Sequence, residues 1–262
     1  MKVVFFTSNL IRHKFVANTI TKAVDDILIV SECKKNDAAN IEKLNNEKSP
    51  MEEHFYHRYN NEQSFFAGND SFIGKTIPLL NKEANLDYTY NVIKSFKPDL
   101  MLAFGPSLIK SPLLYLLEPG RFVNLHLGIS PYYRGSATNF WPFVNQELEY
   151  VGATFLHIDE GVDTGDIISH VRPKIEIGDN VHTVGCKVIK ESAEYFVKII
   201  KMIADGKPLK RVKQWKADIE RVCLSKDFCE ESLMIYKNNL ANGLIENYLS
   251  GSIKNVSLVL LE

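Results

Sequence analysis

KVVFF at residues 2–6 stops abruptly at the polar trio Thr7-Ser8-Asn9. A short, wholly apolar run bounded this way reads as a buried strand. Residues 13–24 then carry Phe15, Val16, Ile20 and Val24 at helical spacing, and ILIV at 27–30 is a second apolar run. Strand, helix and strand in this order predict an α/β fold built on a parallel sheet. Few other constraints on the chain are as strong, because parallel neighbours need a crossover between them.

The remaining chain extends the pattern. Residues 85–96 place Leu86, Tyr88, Tyr90, Val92, Ile93 and Phe96 on a helix that Pro98 stops. Residues 99–104 form a third strand ended by Gly105-Pro106, and residues 121–127 a fourth. Residues 151–158 and 167–177 alternate as strands do. Asp179 or Asn180 caps a long helix reaching about Ala204, with apolar positions from Val184 to Ile203. Gly206-Lys207-Pro208 breaks the chain, so residues 1–205 are expected to form the main domain and 206–262 a small C-terminal appendage. Residues 31–80 are polar and weakly periodic, and read as loops and short helices. No internal repeat or low-complexity segment occurs.

Composition narrows the function classes. The 262 residues are 45% hydrophobic and 24% charged, ordinary for a soluble globular protein. A net charge of −1 offers no basic footprint for nucleic acid. No apolar run approaches bilayer length, so no membrane role is expected. The N-terminus lacks the apolar core and cleavage site of a signal peptide. Cys33, Cys186, Cys223 and Cys229 show no CxxC spacing and read as reduced thiols in a cytoplasmic protein.

Polar clusters fall where α/β sheets bind ligands, beyond the carboxyl ends of strands. Asn124 and His126 close the fourth strand, two residues apart and hence on one face. An amide is a fixed donor and an imidazole exchanges a proton near neutral pH. Together they suit stabilisation of an oxyanion and handling of a proton. A carboxylate is the natural third member, and Asp159, Glu160, Asp163 and Asp166 follow the fifth strand in one glycine-punctuated loop. Chemistry alone does not choose among these four acids, and a strand-end histidine with satisfied hydrogen bonds is the plain structural alternative.

Asn124-Leu125-His126, Ser130-Pro131, Arg134-Gly135 and the run from Asp159 to Ile167 (DEGVDTGDI) together resemble the 10-formyltetrahydrofolate-dependent formyltransferases. That family includes the methionyl-tRNA, glycinamide ribonucleotide and sugar N-formyltransferases. The resemblance covers roughly residues 1–205 and is strongest over 99–170. It implies a Rossmann-like formyltransferase fold, N10-formyltetrahydrofolate as cosubstrate and no metal. The family's catalytic trio falls on Asn124, His126 and Asp163. Its folate site, built largely from backbone groups, falls on Gly105, Pro106, Ser107, Leu108 and Ile109, and on Ile158, Asp159, Glu160 and Gly161.

The acceptor amine is less constrained. Ser8 and Asn9, with Arg12 and His13, stand at a helix start suited to an anion such as a substrate phosphate, although the glycine-rich loop usual in glycinamide ribonucleotide formyltransferases is missing. Arg134, Asn139 and Trp141 look like sugar N-formyltransferase positions, with helix core as the alternative for the aromatics. Only 57 residues follow Asp205, fewer than the tRNA domain of methionyl-tRNA formyltransferases needs. The expected substrate is therefore a small-molecule amine, an amino sugar carried on a nucleotide. Another amine, glycinamide ribonucleotide or methionyl-tRNA, is the first alternative, followed by a formyltetrahydrofolate hydrolase and a non-catalytic binding module.

Other signals point less far. The basic stretch 207–216 reads as a solvated linker, with a phosphate contact as the minority view. Residues 68–76 resemble a phosphate-binding loop but have five residues between the glycines where four are needed. By the resemblance, His54, Tyr56, His57, Arg58 and Phe65-Phe66 sit where substrate loops lie; His54 and His57 are also one helical turn apart, without further metal-ligand spacing. The apolar run 256–261 is expected to pack on the core or on a second subunit, the latter giving a homodimer.

Overall fold

The computed structural model describes residues 1–34, 48–253 and 258–261. Strand β1 (Lys2–Ser8) leads into helix α1 (Ile11–Thr21) and strand β2 (Asp26–Glu32). Next come α2 (Pro50–Phe65), β3 (Lys75–Leu79), α3 (Asp87–Phe96) and β4 (Leu100–Phe104). β5 (Phe122–His126), β6 (Tyr133–Gly135), α4 (Trp141–Val144), β7 (Ala153–His157) and β8 (Ile167–Val171) follow. The chain ends with α5 (Val181–Ala204), β9 (Arg221–Cys223), α6 (Glu230–Ala241) and α7 (Leu244–Leu249).

Seven strands form one sheet in the order β3-β2-β1-β4-β5-β7-β8. The first five of these are mutually parallel, while β7 and β8 run antiparallel at one side. β1 lies inside the sheet between β2 and β4, and KVVFF shows no polar alternation because both its faces are covered. Val3 and Phe5 pack on one face, with α1 and α5, while Val4 and Phe6 pack on the other with Ile93 of α3. α5 is capped as expected, Asn180 accepting from the His182 and Thr183 backbone N–H groups. No helix among the described residues is long and apolar enough to cross a membrane.

Residues 31–80 are more ordered than their sequence suggests; 35–47 lie outside the described residues. α2 has a capping box between Ser49 and Glu52, yet its buried residues are His54 and Glu62. A helix whose inward residues are polar shows no apolar stripe to read. β3 is an edge strand with only Leu79 buried, and Pro78 is tolerated there because an edge needs fewer ladder donors. The loop-like stretch 68–76 delivers the chain into β3 rather than into a helix, and Lys75 pairs with Asp26 at 2.8 Å. β8 is shorter than the expected 167–177 strand, ending before Pro173, which has no N–H for a ladder.

The 206–262 segment is bound to the rest. β9 pairs parallel with β6. Leu258 and Leu260 join the cluster of Ile129, Tyr132, Tyr133 and Tyr150. His170 donates its backbone N–H to the Leu261 carbonyl, and Leu261 N–H donates to His170 Nδ1 at 2.9 Å. The described part of the terminal run thus covers the β8 edge of its own chain; residues 256 and 257 lie outside the described residues.

Candidate active site

The strand order reverses direction at β1 and β4, the switch point where open α/β sheets bind ligands. A cleft of about 1040 Å³ opens there. Its walls are the loop after β4, the end of β5, the loop after β7 and parts of α1, α2 and α5. Val123 and Leu125 point into the core, which turns Asn124 and His126 to the cleft.

Asp163 joins them. Asn124 Nδ2 donates to Asp163 Oδ1 at 2.8 Å, and His126 Nδ1 lies 3.1 Å from Asp163 Oδ2. The other ring nitrogen, Nε2, lies 3.2 Å from the Tyr133 carbonyl. Both ring nitrogens therefore face acceptors, and a neutral imidazole donates to only one at a time. Burial by itself raises the Asp163 pKa, but the hydrogen bond and charge of His126, with the Asn124 bond, outweigh it and hold the carboxyl below its ordinary value. Of the four candidate acids, Asp163 is the one these bonds bring to the pair. Asp159 instead accepts from Thr164 Oγ1 and the Gly161 N–H within its own loop, Glu160 accepts from the Tyr115 hydroxyl, and Asp166 pairs with Arg211 at 3.1 Å. Asp163 adopts φ +54°, a left-handed conformation that aspartate tolerates better than most residues. Beside it, Gly165 approaches so closely that a Cβ there would sit 1.7 Å from the His157 carbonyl oxygen.

The two expected folate segments form one end of the cleft. Gly105, Pro106, Ser107, Leu108 and Ile109 line it on one side, and Ile158, Asp159 and Gly161 on the other, while Glu160 is turned away. Several of the polar groups in the first segment are already engaged. Ser107 donates its N–H and hydroxyl to Glu32 at 2.8 and 2.9 Å, Gly105 O accepts from Lys34, and Leu108 O accepts from Asn85. These bonds tie the loop down, leaving the apolar Leu108, Ile109 and Ile158 in the lining of this end.

The expected acceptor residues divide. Arg12, His13 and Asn139 line the cleft; Ser8, Asn9, Arg134 and Trp141 do not. Arg12 is committed to Glu62, both carboxylate oxygens lying 2.8 Å from Nη1. His13 is buried against Phe104 and bonded to Thr7, and burial, then Arg12 and Lys34, drive its pKa well down. Of this pair, His13 brings no charge to the phosphate site expected there, and Arg12 brings one that it shares with Glu62. Asn9 bonds to the Lys34 backbone, and Asn139 accepts the Gly152 N–H. Arg134 pairs with Glu220, and Trp141 Nε1 donates to Ser136 O.

Sequence reasoning missed much of the opposite end of the cleft. His54, Arg58, His182 and Phe228 line it, brought from α2, α5 and the loop after β9. The His54 and His182 rings lie 4.6 Å apart, and Phe228 lies 5.3 Å from His54 and 4.8 Å from Phe140. Burial, then neighbouring positive charge, lowers His54 to about 4 and His182 to about 3. No group of three or more metal-ligating residues exists among the described residues. The expected substrate-loop positions included His54 and Arg58; His182 and Phe228 carry no local signal.

The two depressed histidines make acid stability testable. In the unfolded chain each binds a proton below about 6.5, while the fold keeps both neutral. Their stabilising contribution is complete above that value and is lost as pH falls towards about 4. His182→Gln is expected to flatten the loss of melting temperature between these limits, measured by thermal unfolding across pH; a slope equal to that of the parent protein overturns the assignment.

A family model described as formyl transferase matches residues 1–200. The chain belongs to the formyl transferase family. A methionyl-tRNA formyltransferase from Agathobacter rectalis is 33% identical over 131 residues, covering 48% of this chain and 39% of that protein. This formyl transferase chain thus spans about two fifths of that relative's length. Among solved structures, a 4-N formyltransferase from Francisella tularensis superposes with a TM-score of 0.55 at 20% identity, covering 87% of this chain and 78% of that one. An N-formyltransferase from Helicobacter canadensis, in complex with folinic acid and dTDP-3-aminofucose, gives 0.54 at 18% identity, covering 87% and 72%. At these identities the structures share the fold. Everything beyond residue 200 lies outside the family match.

Proposed function

We propose that this chain transfers the formyl group of N10-formyltetrahydrofolate to the primary amine of a nucleotide-linked amino sugar. The observation that carries the reading is a cleft that runs past Asn124, His126 and Asp163 in two directions. One end, between residues 105–109 and 158–161, suits a pterin. The other combines aromatic rings with Arg12, Arg58 and two imidazoles, of which the two arginines share a single carboxylate, Glu62. That end is matched to a ligand with a flat base and an anionic link. The ligands of the Helicobacter canadensis structure are of these two kinds.

The chemistry follows from the trio. The amine nitrogen attacks the formyl carbon, and charge develops on the formyl oxygen. Asn124 has a second Nδ2–H beyond the one given to Asp163, and the 3.2 Å contact of His126 Nε2 with a carbonyl is long enough for an oxyanion to compete for it. Asp163 orients both donors, and its low pKa keeps it an anion able to balance the proton the amine must shed. The bond from the formyl carbon to N10 then breaks as the new amide forms, and N10 takes up a proton in place of the one the amine has shed, leaving as neutral tetrahydrofolate.

Methionyl-tRNA is the rival acceptor, because the relative at 33% identity is named for it. Incubating the protein with N10-formyltetrahydrofolate and, separately, nucleotide-linked amino sugars, glycinamide ribonucleotide, methionyl-tRNA or buffer separates the readings. Formylated sugar with release of tetrahydrofolate is the expected result. Transfer to methionyl-tRNA or glycinamide ribonucleotide alone, formate release without an acceptor, or ligand binding without turnover each overturns it.

A further inference from the structure

We propose that Gln214, on the strap following α5, is a positioning residue that holds the acid loop so that Asp163 faces Asn124 and His126. This rests on the trio assigned above. Gln214 Nε2 has two N–H groups and uses both on this loop, donating to the Asp163 carbonyl at 2.8 Å and to the Gly165 carbonyl at 3.0 Å. The two carbonyls are that of Asp163 itself and that of the residue two positions on, so the amide clamps the chain as it leaves Asp163, whose left-handed backbone needs outside support to persist. The amide orientation follows from its partners, since two carbonyls can only be met by the NH₂ end.

The strap that delivers Gln214 is itself pinned at both ends of the loop. At the entry, His157 Nε2 donates to the Lys210 carbonyl at 2.9 Å. At the exit, Ile167 and Val212 exchange backbone hydrogen bonds at 2.7 and 3.0 Å, and Arg211 pairs with Asp166. The stretch expected to be a solvated linker is therefore a brace across the acid loop. Gln214 Oε1 is buried and unpartnered among the described residues. Keeping an orphan acceptor there is costly, and the two loop bonds are what the side chain gains in exchange. The brace comes from outside the family match, which ends at residue 200.

Gln214→Met keeps the length and removes both donors. Its kcat is expected to fall by about 10-fold to 10²-fold, as a small misplacement of a reacting group does, with the KM for acceptor little changed. In an Asp163→Asn background the same change should add almost nothing, because the two residues act as one unit. The second readout is independent of activity: NMR titration of the Asp163 carboxyl carbon. Its pKa, held down chiefly by His126 and Asn124 against burial, should rise in Gln214→Met as those contacts loosen. A folded Gln214→Met protein with unchanged kcat and an unchanged Asp163 titration overturns the proposal, as do rate losses that multiply in the double variant. Absence of transfer by the parent protein would count against the proposed function, while the NMR titration would still decide the brace.

Discussion

His126→Ala is expected to lower formyl transfer by about 10²–10³-fold, the usual cost of removing one oxyanion donor, without loss of the fold. The ring is only 6% exposed and sits between Asp163 and the Tyr133 carbonyl. Its removal also strips Asp163 of its imidazole partner, leaving a carboxyl whose pKa burial pushes upward and only the Asn124 bond holds down. Asp163→Asn should produce a loss of similar order from the other side of the same contact. The parent protein should keep Asp163 ionised below the ordinary carboxylate range. The stability this acid contributes is complete above the unfolded pKa of about 3.9 and is lost as pH falls through its lower folded value. Steady-state rates with circular dichroism as a fold check decide the matter; near-parental turnover in a folded His126→Ala protein refutes the assignment.

Gly128→Ala is expected to be almost as damaging, although one methyl group is added and no functional group removed. A Cβ at residue 128 would lie 2.6 Å from His126 Nε2, and 2.8 Å from both Cβ and Oγ1 of Thr138. Neither neighbour has room to retreat: His126 is held at both nitrogens, and the Thr138 hydroxyl donates to the Leu127 carbonyl. Overpacking of this kind costs about 1–3 kcal/mol, and the cheapest relief is rotation of the imidazole away from Asp163. Thermal unfolding and turnover should both fall. In the double variant with His126→Ala the stability loss should shrink without vanishing, because Thr138 is still in the way. A Gly128→Ala protein with parental activity and melting temperature would show that the ring is not confined as described.

The central sheet was legible because its strands are buried on both faces, so apolar runs alone mark them. Residues 50–65 and 75–79 were not, for opposite reasons: α2 turns His54 and Glu62 inward, and β3 buries little. At the site, Asn124 and His126 were legible from strand periodicity, since alternate residues share a face. Arg12 and His13 looked like two cations at a helix start, but burial keeps His13 neutral. Glu62, 50 residues away in sequence, shares the Arg12 charge.

Local patterns by themselves determined a parallel α/β sheet, a strand end carrying an amide and an imidazole, and a neighbouring loop rich in acids. Such features depend on residues a few positions apart, whose geometry the strand or helix dictates. Local patterns left the acid open, and the family resemblance put it on Asp163; tertiary structure decided how Asp163 meets the pair, what else lines the acceptor end of the cleft and what the basic strap does. Asp163 reaches Asn124 across 39 residues, and Gln214 reaches Asp163 across 51. Contacts at such separations are set by how the sheet closes and by which hydrogen bonds buried groups must find, and no local periodicity records them.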